Sequence, residues 1–190
     1  NADLTARYAD VYGVLGIGDH TRLAVFGSAS LSERGVGGPV VSPFSSSVAR
    51  QTDKDYLVQA VLSSRVAENV GVGFAAQSHI AYERYRDPNL NIGGRVLDSY
   101  FKNSDARMEP HVDIAVSEMM KVGFGSELVR TTAEGNSMAR DVARTQLGTF
   151  LAGEVVLAKE HGVLSEVSLF PSVRLHAISS MPPAWSPPLG

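Results

Sequence analysis

No covalent staple is open to this chain. Cysteine is absent from all 190 residues, which excludes disulfides, thiolate zinc sites, iron–sulfur clusters and a cysteine nucleophile. The fold must therefore draw its stability from burial of its own apolar surface. A chain of this length ordinarily buries roughly 70% of the surface its unfolded form exposes. Apolar residues make up 44% and charged residues 19%, somewhat sparse in charge for a water-facing surface. A large core would explain that deficit, and so would surface covered by copies of the chain or by another partner.

The charge balance narrows the partners. Seventeen basic and 20 acidic residues give a net charge of −3, with no basic stripe of the kind a general nucleic-acid binder carries. The densest basic group, Glu83-Arg84-Tyr85-Arg86, reads as the solvated end of a helix. Arg65 and Glu68 interrupt the longest charge-poor run, residues 56–82, so no transmembrane segment is expected. The chain opens on Asn1 with no secretory signal before it, as expected of a start produced by processing. The compartment is left open.

Periodicity suggests an α+β domain over residues 1–180. Leu4, Tyr8, Val11 and Leu15 fall at helical spacing, and residues 22–31 alternate as a strand. Residues 53–69 and the stretch through Phe74, Ser78, Ala81, Tyr82 and Tyr85 read as one or two internal helices. A long C-terminal helix is expected over residues 137–161, capped by Asn136 and striped by Met138, Val142, Leu147, Leu151 and Val155. Residues 167–178 read as one or two strands around Pro171. The helices would cover a small, mainly antiparallel sheet.

Two segments stand outside that pattern. Residues 33–51 are rich in Gly, Ser and Pro and form a loop or arm longer than most connections in compact domains. Residues 181–190 form a proline-rich tail that holds the only tryptophan. Phe44 in the arm and Trp185 in the tail are the expected interaction anchors, since isolated aromatics on extended segments fill pockets on partners.

Candidate chemistry concentrates in "EPHVD". As a helix this stretch would put His111 and Asp113 about 200° apart. As a strand it would align Glu109, His111 and Asp113 on one face, a row able to hold a divalent metal or position a water. Local sequence does not decide between the two. His79 and Glu83 would be helical neighbours, His161 a cation at a helix C-terminus, and His20 and His176 isolated histidines. The glycine clusters lack the lysine or the spacing of a nucleotide loop, and no serine-nucleophile motif occurs.

The sequence thus favours a non-enzymatic structural or assembly subunit of shell, capsid, tail or secretion-machine type, without cofactor. It would form homo-oligomers, or join other assembly subunits, through arm and tail. The alternative is a small metal-dependent enzyme or ligand-binding domain using Glu109, His111 and Asp113.

Overall fold

The computed structural model describes residues 3–36, 48–92, 95–161, 164–179 and 181–186. Among them it has ten strands and no helix: β1 (Leu4–Ile17), β2 (Thr21–Gly35), β3 (Arg50–Ala67), β4 (Val70–Ile92), β5 (Arg95–Ser117), β6 (Met120–Gly135), β7 (Val142–His161), β8 (Leu164–Leu169), β9 (Ser172–Ile178) and β10 (Met181–Ser186). They form one antiparallel sheet in the order β1-β2-β3-β4-β5-β6-β7-β9-β10, with β8 also paired to β7. The expected α+β class is therefore corrected to all-β. The long C-terminal helix, the internal helices and the helical reading of Leu4, Tyr8, Val11 and Leu15 are corrected to strands β7, β3, β4 and β1.

The physical reason lies in the spacing itself. Positions four apart share a face of a helix, but they also share a face of a strand, because four is a multiple of two. Leu147, Leu151 and Val155 fit either period. In the sheet they point to one side with Thr149 and Gly153 between them. The strand expected over residues 22–31 lies within β2, and residues 167–178 form β8 and β9, split at Pro171. The tail contributes β10, which pairs with β9. A register shift between Met181 and Ala184 takes up Pro182 and Pro183, as prolines in strands require an edge or a bulge.

The strands are staggered in one consistent sense. Thr21 pairs with Ser64, three residues before β3 ends at Ala67. Val70 pairs with Ile114, three residues before β5 ends at Ser117. Each hairpin therefore descends by about 10 Å along the strands for about 9.6 Å across two of them. That ratio corresponds to a strand tilt of about 45° against the line of turns, close to the tilt of barrel walls. Connections at this end are short: Gly18–His20, Glu68–Asn69 and Glu118–Met119, with Gly18 at φ 63° supplying the left-handed residue of the first. At the opposite end, β2–β3 and β6–β7 are joined by the longer stretches 36–49 and 136–141, and β4–β5 and β9–β10 by two residues each.

Among the described residues no second layer covers the sheet. The only buried apolar side chains among the described residues are Ala49 and Val156, while Val58, Met108 and Phe124 are each more than half exposed. The water-excluding core expected from chain length is not found among the described residues. Ordering the backbone costs about 1–2 kcal/mol per residue, and burying a large apolar side chain contributes about 1.5–3 kcal/mol. With so many large apolar side chains exposed, this sheet recovers only part of that in water.

Candidate functional site

Because partners across an antiparallel ladder share a face, the register sorts every side chain onto one of two sides. On one side β4 presents Val70, Val72, Phe74, Ala76 and Ile80. β5 presents Ile114, Val112, Pro110, Met108 and Ala106 opposite them or nearby. β3 adds Val58, Ala60 and Leu62, and β6 adds Val122, Phe124 and Leu128 facing Leu151 and Leu147 of β7. Eleven residues from Val70 to Ile80, at 45° tilt, give an apolar band about 25 Å tall. Pro110 costs little here, since the β5–β6 ladder skips from Met108 to His111.

Toward the longer connections the band ends in tyrosines and then cations. Tyr82 and Tyr100 stack with ring centroids 6.0 Å apart, and the Lys54 ammonium sits 5.6 Å above the Tyr82 ring. Arg84 forks onto Asp98, with Nε donating to Oδ1 at 2.8 Å, and Lys102 donates to Glu134 at 2.6 Å. These bonds hold Asp98 below the ordinary carboxylate range and raise Lys102 above its ordinary value.

The opposite side is polar and cross-linked strand to strand. His79 Nε2 bonds Asp55 at 2.7 Å, and Asp105 accepts from Thr131 at 2.6 Å. Gln51 donates to Glu83 at 3.0 Å. Arg107 reaches Glu109 at 2.7 Å and Glu127 at 2.9 Å, and Glu127 also pairs with Arg174. Lys121 pairs with Glu154 at 2.9 Å. β1 departs from this sorting: Leu4, Tyr8, Tyr12 and Val14 fall on the polar side, by register with Arg34, Ser30, Phe26 and Ala24.

The row Glu109, His111 and Asp113 is on a strand, and all three share the polar face. They do not converge. His111 Nε2 lies 3.8 Å from Asp113, whereas Glu109 is engaged by Arg107. Among the described residues no group of three His, Asp or Glu is placed to hold a metal ion. His111 and Asp113 instead border an open depression of about 420 Å³ with Asp19, His20, Arg22 and Arg65 near the short turns. His79 and Glu83 share the polar face but bond different partners. His161 pairs with Leu164 in the β7–β8 ladder, and His176 lies 3.2 Å from Gln146. Phe44 lies outside the described residues. Trp185 is opposite Leu175 in the ladder.

What sequence reasoning missed is the apolar side as a surface in its own right. The strict alternation in residues 70–82 and 106–116 carried that signal, diluted by alanine, serine and proline at outward positions. No family model matches the chain, and no curated protein sequence matches it. Among the described residues no helix is long and apolar enough to cross a membrane, a statement that does not bear on strands.

Proposed function

We propose that the sheet is a wall of a membrane-spanning β-barrel of the outer-membrane type, with the apolar side against lipid and the polar side lining an aqueous lumen. One observation carries the reading: a single-layer sheet without a core sorts its side chains into an apolar band about 25 Å tall and a hydrogen-bonded polar face. A bilayer is the medium that satisfies both faces at once. The 45° stagger, the short turns at one end, the two longer connections at the other and the tyrosine rim all support it. Strands of 14–23 residues in β1–β7 exceed the 9–11 needed to cross, so the wall extends beyond the bilayer on the side of the longer connections.

In this reading Glu109, His111 and Asp113 line the lumen and the protein is no enzyme. β1 and β10 each have one neighbour among the described strands, and a barrel tolerates no open edge. Closure therefore calls for further strands, and copies of the same chain are the assembly partner that the sequence already suggested. The role is that of a wall, with the lumen as the path for a polar solute.

Single-cysteine labelling tests it directly, because the chain has no native cysteine. The chain is folded into phosphatidylcholine vesicles carrying Val72→Cys, Ala76→Cys, Ala75→Cys or Gln77→Cys. The even positions should resist a charged thiol reagent and be quenched by brominated acyl chains, and the odd positions should do the reverse. Equal reactivity at neighbouring positions, or a chain that takes up no lipid, would overturn the proposal.

A further inference from the structure

The cations at the tyrosine rim lie on the lipid-facing side and follow its tilt. Arg84 pairs with Tyr100, and Lys102 is two residues nearer the short turns on the same strand as Tyr100. Lys102 pairs with Glu134, and Arg130 is four residues nearer the turns again. The line Arg84, Lys102, Arg130 thus descends across the sheet in the same sense as the hairpins. It bounds the apolar band where acyl chains would give way to headgroups.

Two of these cations are pinned and two are open. Asp98 fixes the Arg84 guanidinium and Glu134 fixes the Lys102 ammonium. Lys54 lies over Tyr82 without a carboxylate, and Arg130 likewise has no ion pair, among the described residues. With Arg50 and Arg86 added to the four cations, and Glu33 to the two carboxylates, on the same face, the rim is net positive in a protein of net charge −3. An anion with an apolar tail gains from both the open cations and the band beneath them. A soluble anion gains only the first.

Resting on the wall reading, we propose that Lys54, Arg84, Lys102 and Arg130 bind the phosphate of anionic lipid headgroups in the leaflet at the long-connection end. Lys54 on β3 and Arg130 on β6 stand three strands apart, so each contacts the phosphate of its own lipid. Arg84 and Lys102, held by their carboxylates, set the field around it and keep the tyrosine ledge in place.

The test is native mass spectrometry of the full chain in detergent micelles, titrated with dioleoyl phosphatidic acid or dioleoyl phosphatidylcholine. The wild type should retain phosphatidic acid in preference. Each cation near a charged lipid surface is worth about fivefold in affinity, so Lys54→Gln with Arg130→Gln should weaken retention of phosphatidic acid about fivefold at each of the two positions and leave phosphatidylcholine unchanged. Arg22→Gln with Arg65→Gln, on the polar face, should change neither. Equal retention of the two lipids, or an unaffected double variant, would overturn the lipid site while sparing the wall. Displacement by an equal concentration of inorganic phosphate would also overturn it, in favour of a soluble-anion site. A chain that retains neither lipid would overturn the wall reading as well.

Discussion

His111 and Gly73 are direct cross-strand partners on the polar face, and the imidazole lies flat on the glycine, in the space a Cβ at residue 73 would occupy. The same device recurs one hairpin away, where Phe150 lies over its partner Gly125 and the Asp113 carboxylate leans over Gly123. Glycines at these positions let large side chains fold down along the sheet, which keeps the polar side shallow beside the depression at the short turns. Aromatic and imidazole rings over glycine also pin register where a strand interior would otherwise be weak.

Gly73→Ala should therefore force His111 off its seat and destabilise the fold by about 1–3 kcal/mol, the usual range for overpacking. Gly71→Ala, whose added methyl would meet only the Asp113 carbonyl oxygen at 4.0 Å, should be nearly neutral. Denaturant unfolding in micelles measures both. His111→Ala combined with Gly73→Ala should recover most of the loss, and a double variant as unstable as the sum of the singles would refute the stacking account.

The sequence made some of this readable and concealed the rest for physical reasons. The strand reading of "EPHVD" already placed Glu109, His111 and Asp113 on one face, and β2 was visible because Leu23, Val25 and Leu31 alternate with polar or small residues. β7 was not, because Leu147, Leu151 and Val155 satisfy a period of 3.6 and a period of 2 alike. Asn136 looked like a helix cap for the related reason that its side chain does satisfy backbone groups. It accepts from the Tyr100 amide at 2.9 Å and donates to the Asp98 carbonyl at 2.7 Å, across a strand pair instead of along a helix. The scarcity of buried side chains among the described residues was not legible, because burial expected from chain length assumes a chain that folds alone in water.

Glu127 is the most enclosed acid of the polar network, with 8% of its surface exposed, and it receives Arg107 from one side and Arg174 from the other. Glu127→Gln preserves the shape and removes the charge both arginines share. It should cost about 1.5–3 kcal/mol, the scale of a hydrogen bond to a charged group. Glu83→Gln, at an exposed pair with Gln51, should stay within about 0.5 kcal/mol. Chemical unfolding of the two variants side by side decides whether enclosure sets the difference, and equal effects would refute that.

Asp98 gives the rim an acid limit. The hydrogen bonds from Arg84 hold its carboxyl below the ordinary range, with the charges of Arg84 and Arg86 adding to the effect against partial burial. A carboxyl with a folded value below its unfolded one stabilises the fold above the unfolded value, and the contribution fades as pH falls through the folded one. The stability difference between wild type and Asp98→Asn should thus be full at neutral pH and shrink to nothing in strong acid. Unfolding midpoints across that range test it, and a difference that grows on acidification would contradict the assigned sign.

Adjacent alanines on β4 give the sharpest contrast between the two faces. Ala76 pairs with Met108 at the middle of the apolar band, and Ala75 pairs with Glu109 on the polar side. In a bilayer, Ala76→Arg places a guanidinium at mid-depth in hydrocarbon and should cost about 2–4 kcal/mol. Ala75→Arg enters a hydrated face beside a carboxylate and should cost little. In water the order has no reason to hold, since both sides are then solvated. Comparing unfolding free energies in phosphatidylcholine vesicles therefore reads the solvent on each side of the sheet, and a smaller penalty at 76 than at 75 would mean that lipid does not cover the apolar face.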